Sequence, residues 1–252
     1  MNKRNILLAV LIVGALLVYK VMGGDPQSFA SIQKAAEDGD AEAQYNLGVM
    51  LEHGKSVQQD LEQAVLWYRK SAAQGFARAQ NNLGGMLYYG KGVPRDFQQA
   101  FDAYQQAANQ DFAPAEDSVG IMYSNGQGVM RDDGQAVFWF RKAAAQGEAG
   151  AENNLALMYY EGRGVPRDLT RAYVCARKAA EQGLAIDEYS LGMMYETGQG
   201  VQLDYAQARF WLEKAARQNY QSAEIALQKL PGTQGSDVSQ DQPASQDDQS
   251  CS

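Results

Sequence analysis

Self-similarity constrains this chain more than any other feature of its sequence. Written in rows of 36 residues from Gly39, it aligns five times without insertion or deletion, the rows beginning at Gly39, Gly75, Asp111, Gly147 and Gly183. Down the columns run Leu47/Leu83/Val119/Leu155/Leu191, Gly48/Gly84/Gly120/Ala156/Gly192, Gly54/Gly90/Gly126/Gly162/Gly198, Asp60/Asp96/Asp132/Asp168/Asp204 and Ala64/Ala100/Ala136/Ala172/Ala208. A fixed period of this size means a solenoid, in which each row buries its apolar face against its neighbours. Within a row the apolar positions recur at helical spacing, first in Ala43, Leu47, Met50 and Leu51 and again in Ala64, Trp67, Tyr68 and Ala72. Each row therefore reads as two helices, A and B, closed into a hairpin.

The recurring polar residues have structural explanations. Each column aspartate stands just before helix B and three residues before Gln63, Gln99, Gln135, Arg171 or Gln207, the spacing of a capping box, so its carboxylate is expected to accept from orphan backbone N–H groups. Gly54 and its equivalents are expected to stop helix A. Gly48 and its equivalents lie inside helix A, where glycine costs about 1 kcal/mol against alanine, so they predict the close approach of a neighbouring helix. The G-x-G of rows two to five has no preceding strand and no P-loop lysine after it, which leaves it a turn rather than a nucleotide site.

Composition narrows the function classes. The 22 basic residues are scattered among 30 acidic ones for a net charge of −8, against the clustered cations that nucleic-acid binding requires. Cys175 falls where sister rows carry Trp67, Trp139 and Trp211, and Cys251 sits one residue from the end of a polar tail. We read Cys175 as a buried free thiol and expect no structural disulfide. No acid, base and nucleophile cluster is visible, so no catalytic residue, cofactor or metal ligand is assigned.

The ends differ from the array. Residues 1–24 carry Lys3 and Arg4 ahead of the apolar run Ile6 to Tyr19, which directs the segment to a membrane and the remainder of the chain to the outer, periplasmic side. We expect an inner-membrane anchor formed by one N-terminal membrane helix, with a cleaved signal peptide and a soluble periplasmic or secreted product as the alternative. Residues 28–38 and 219–230 read as capping helices around the rows 39–74, 75–110, 111–146, 147–182 and 183–218. Residues 231–252 hold four aspartates and no basic residue and read as a disordered acidic tail.

The consensus A-x-A-Q-x-x-L-G-x-M-Y-x-x-G-x-G-V-x-x-D-x-x-x-A-x-x-W-Y-x-K-A-A-x-Q-G resembles the Sel-1-like repeat, a relative of the tetratricopeptide repeat, over Gly39 to Gln218. Departures are local: Ser56 replaces the second loop glycine in row one, Asp187 replaces a core alanine, and Ala103 and Cys175 replace tryptophan. The resemblance implies an all-α, right-handed α-solenoid with half-repeat caps that acts as a non-enzymatic adaptor between proteins. Two uses fit: assembly or regulation of an envelope complex, or immunity against a toxic effector such as a secreted lipase. The competing class is a hydrolase of the β-lactamase-like kind attached to some members, but those carry cysteine pairs in each repeat, and this chain shows no S-x-x-K motif with supporting groups.

Since the repeated residues explain the fold, function should lie in what differs between rows. The variable helix A positions are expected to line the concave surface, and Tyr45, Glu52, Asn81, Tyr88, Asp117, Asn153, Tyr160, Tyr189 and Glu196 are the candidate partner-binding residues.

Overall fold

The computed structural model describes residues 26–231 and 251. The expected N-terminal membrane segment, residues 1–24, and the expected acidic tail, apart from Pro231 and Cys251, lie outside the described residues. Among those described, no helix is long and apolar enough to cross a membrane. They form an all-α solenoid of twelve helices: α1 (Pro26–Glu37), α2 (Ala41–His53), α3 (Leu61–Ala73), α4 (Ala77–Tyr89), α5 (Phe97–Ala108), α6 (Ala113–Asn125), α7 (Asp133–Ala144), α8 (Ala149–Glu161), α9 (Leu169–Glu181), α10 (Ala185–Thr197), α11 (Tyr205–Arg217) and α12 (Gln221–Lys229). The even-numbered helices from α2 to α10 are the A helices, and the odd-numbered ones from α3 to α11 are the B helices.

The helices fall into two compact units, residues 26–115 with 127–129 and residues 116–126 with 130–231 and 251. In the first, α1 covers α2 through Ala36, Ala43 and Leu47, against which Phe29 and Ile32 pack. Ala64, Val65, Tyr68, Ala72, Ala79 and Met86 then form a core shared by α3 and α4. In the second, α11 and α12 close the array through Ala208, Leu212, Ala215, Ala223, Ala226 and Leu230.

Each hairpin is made by the same devices. Gly54 takes a left-handed φ of 64° that ends α2, and its N–H donates to the carbonyl of Met50, a conformation that glycine reaches without steric cost. The column aspartates cap the B helices as expected: Asp60 accepts from the Gln63 N–H at 2.9 Å, Asp132 from Gln135 at 2.9 Å and Asp168 from Arg171 at 3.0 Å. The return half of the capping box is replaced, because each aspartate's own N–H already donates back to helix A, Asp60 to Leu51 and Asp168 to Tyr159.

The glycines inside the A helices mark close approach, and the neighbour is one side chain. A Cβ on Gly48 would lie 2.7 Å from the Tyr68 ring, on Gly84 2.7 Å from Tyr104, on Gly120 2.5 Å from Phe140 and on Gly192 2.8 Å from Leu212. Helix B of each of these rows thus lays one large apolar plug across a bare stretch of its own helix A.

A second column locks each hairpin through buried polar groups. Gln74 donates to Gln44 at 2.8 Å, Gln110 to Gln80 at 2.7 Å, Gln146 to Glu116 at 2.8 Å, Gln182 to Glu152 at 3.0 Å and Gln218 to Glu188 at 2.8 Å. In rows three and five the buried acceptor is a carboxylate with a lysine at hand: Lys142 reaches Glu116 at 2.9 Å and Lys214 reaches Glu188 at 3.1 Å. Buried charge persists only when paired and hydrogen-bonded, which explains why these acids are structural.

Candidate functional site

The variable helix A positions do not form one free surface, because the scaffold uses many of them. The Tyr45 ring packs on Phe76 at 5.3 Å and Tyr68 at 6.0 Å between centroids. Glu52 accepts from the Tyr68 hydroxyl at 2.6 Å, and Asn82 donates to that same hydroxyl at 3.2 Å. Burial and the neighbouring Glu52 push the Tyr68 phenol far above its ordinary range. Asn81 reaches only the adjacent Asn82, at 3.5 Å, and its Oδ1 is buried without a partner. Tyr88 donates to Gln127 at 2.8 Å and sets its ring against Phe97 at 5.2 Å.

In the second unit, Asp117 accepts from Asn154 at 2.8 Å and has Gly150 close by. Desolvation pushes its carboxyl up to about 6, with Glu148 adding repulsion and Asn154 opposing. Tyr189 packs on Tyr220 at 5.3 Å. Glu196 holds the row position of Glu52, but row five has Leu212 where row one has Tyr68, so no phenol reaches it and its Oε2 is buried without a partner.

Asn153 and Tyr160 are different, since both line a cavity of about 350 Å³ between α8, α9 and α10. Its floor is Ala156, Ala172 and Ala176, its walls Leu157, Met193 and Met194, and its polar rim Asn153, Tyr160, Ser190, Thr197 and Gln199. Leu157 is 47% exposed, so an apolar side chain stands at a mouth surrounded by hydroxyl and amide groups. Apolar walls with a few convergent polar groups are the composition of a binding pocket. The Arg167 guanidinium lies 5.8 Å from the Tyr160 ring, and its Nε donates to the Tyr160 carbonyl at 3.0 Å, which steadies the rim.

The reading of Cys175 as a free thiol is corrected. Cys175 and Cys251 form a disulfide, 76 residues apart with Cα atoms separated by 5.0 Å. Both half-cystines are buried. Row four thus has, in the tryptophan column, a cysteine bonded to Cys251. Among the described residues no group of three or more His, Cys, Asp or Glu is placed to hold a metal ion.

The Sel1 repeat matches this chain at residues 41–76, 77–112, 113–148, 149–184 and 186–220. Similar solved structures include a protective antigen of uropathogenic Escherichia coli with an SLR fold, 36% identical at a TM-score of 0.74, which covers 80% of this chain and 43% of that one. A Sel1 repeat protein from Oxalobacter formigenes is 28% identical, with 86% of each chain covered and a TM-score of 0.71. An immunity protein from Pseudomonas aeruginosa is 25% identical over 83% of this chain and 73% of that one, at a TM-score of 0.51. Among curated proteins, a stretch of 39 residues is 51% identical to DAP3-binding cell death enhancer 1 of Rattus norvegicus, which is 16% of this chain and 8% of that protein. The chain thus spans less than half of the uropathogenic antigen and a small part of the rat protein.

Proposed function

The chain belongs to the Sel1 repeat family, and from that premise we propose a non-enzymatic scaffold that holds a protein partner on its helix A side, centred on the cavity between α8 and α10. The observation that carries this reading is selective occupancy. Tyr45, Glu52, Tyr88, Asp117 and Tyr189 stack on or bond to the array itself, whereas Leu157, Tyr160 and Met193 surround unfilled space. The recurring aspartates are engaged as helix caps, and the buried Gln and Glu residues of the second column as hairpin locks.

The scaffold works at the periplasmic face of the inner membrane, held by its N-terminal segment. Lys3 and Arg4 before the apolar run support that orientation. The disulfide supports it as well, because such bonds persist in oxidising compartments. Immunity against a toxic effector is favoured over envelope assembly by the likeness to a protein named an immunity protein.

Affinity capture from the envelope fraction tests the binding reading, with the full chain and a Leu157→Asp/Tyr160→Ala variant as paired baits. A partner retained by the parent and lost by the folded variant is the expected result, and an identical retained set refutes the assigned surface. For immunity, expression of the chain should protect cells from an effector encoded beside it and directed to the periplasm. Unchanged killing would refute that use.

A further inference from the structure

Row four departs from its sisters at two positions that meet in space. In rows one, two, three and five, helix B lays Tyr68, Tyr104, Phe140 or Leu212 over the glycine of helix A. In row four the glycine is Ala156 and the plug is Ala176, and both form the cavity floor. The pair has changed together, from a bare backbone under a large ring to two methyl groups under empty space.

We propose that this cavity is an aromatic socket that receives a tyrosine side chain projecting from the protein partner, in the place that rows one to three fill with a ring of their own. The inference rests on the helix A binding reading above and names the chemistry of the group bound there. The walls suit it, since Met193 and Met194 are flexible, polarisable side chains that adapt to a ring face or edge. The hydroxyl is also provided for. In row one the Tyr68 hydroxyl meets Glu52 and the next row's Asn82, and the equivalents one step beyond row three are Tyr160 and Ser190. Both line the cavity. Ser190 already donates to the Ile186 carbonyl at 2.8 Å, so it is set to accept from an incoming phenol. The chain's own tail cannot take the place in kind, because residues 232–252 contain no Phe, Tyr or Trp.

The test uses the full chain with ¹³C-methyl methionine, with p-cresol and toluene as probes in NMR titrations. p-Cresol should shift the Met193 and Met194 methyl signals saturably, and toluene should bind about three- to tenfold more weakly for want of one hydrogen bond. Ser190→Ala with Tyr160→Phe should level the two probes. The socket is closed by restoring a sister pair, Ala156→Gly with Ala176→Tyr, or the row-five pair, Ala156→Gly with Ala176→Leu, should the tyrosine version not fold. Either closed variant should lose both probes.

No shift of these methyls with millimolar p-cresol, or probe binding by a folded closed variant, overturns the proposal. Equal affinity for the two probes in the parent overturns its preference for tyrosine. Capture separates this inference from the reading beneath it. If a closed variant retains the partner while Leu157→Asp/Tyr160→Ala loses it, the socket is refuted and the binding surface stands. If both lose it, both stand, and if neither does, the surface itself is refuted.

Discussion

Replacing Gly120 with alanine sets two opposing effects against each other. Alanine in a helix interior is favoured over glycine by about 1 kcal/mol. The new Cβ, however, would lie 2.5 Å from Phe140, whose side chain is 2% exposed. The ring must retreat by about 1 Å in a packed interior, at the upper end of the roughly 1–3 kcal/mol that overpacking costs. Gly120→Ala should therefore destabilise by about 2 kcal/mol. Phe140→Ala, which empties the site, should cost about 4 kcal/mol. In the double variant the clash is gone and the helix preference remains, so the loss should be about 3 kcal/mol rather than the additive 6, a coupling of about 3 kcal/mol in favour of the pair. Urea denaturation followed by far-UV circular dichroism measures each corner of the cycle, provided that the transitions superimpose with a second probe. An additive double variant, or a stabilised Gly120→Ala, would show that the ring is not why glycine occupies this column, and the account of the row-four cavity would fall with it.

Reduction of the disulfide, or Cys175→Ala, should lower the thermal midpoint, since a loop of 76 residues is worth about 4 kcal/mol of unfolded-state entropy in the chain-entropy model; an unchanged midpoint in a scan with and without reductant would count against a native bond. Asp187 is a buried acid beside Glu152 and Glu188, and burial, with their repulsion added, pushes its carboxyl up to about 6. Because the folded value lies above the unfolded one, the protonated form is favoured by folding and stability falls as pH rises from about 4 to about 6. Asp187→Ala, the residue at this position in the other rows, should then stabilise at pH 7.5 by about 1–2 kcal/mol once solvent screening is allowed for, and do little at pH 4; equal effects at both values in paired melts would refute the linkage. Asp132→Ala should cost about 1 kcal/mol by urea denaturation through loss of the α7 cap, with Asp132→Asn close to the parent, and partner capture should be unaffected.

The fold was legible because a solenoid repeats its instructions. Each cap, stop and core position occurs five times, so a column such as Asp60 to Asp204 explains itself by position. The site was less legible because it depends on pairs of columns read together. Taken alone, Ala156 is a tolerated substitution for glycine and Ala176 an ordinary helix residue, and only their shared place in the lining of one cavity shows what the missing ring leaves open. The variable helix A residues misled for a related reason. Sequence marks them as different between rows but not where their ends reach, and Tyr45, Tyr88, Asp117 and Tyr189 reach neighbouring parts of the array. The disulfide was illegible because Cys251 lies 76 residues from its partner in a polar stretch with no helical pattern.

Three of the departures from the repeat, at Cys175, Ala176 and Asp187, fall in rows four and five, and the disulfide opposes them energetically. Row four gives up the plug that sister rows bury, and it also gives up the indole of the tryptophan column at Cys175. Row five then adds a buried carboxylate, Asp187, against Glu152 of row four. Each change weakens packing or electrostatics locally, and unfavourable choices that fall close together are the mark of a function held at the expense of stability. The disulfide works in the opposite direction, since it ties Cys175 of α9 to Cys251 and so restricts the unfolded chain. On this account the bond offsets part of that cost without touching the cavity. Because it acts on the unfolded chain, it should contribute the same free energy in the parent and in the closed variant. Reduction should therefore destabilise the parent and the Ala156→Gly/Ala176→Tyr variant by similar free energies, and a clearly smaller effect in the variant would show that the bond acts through native packing around the cavity instead.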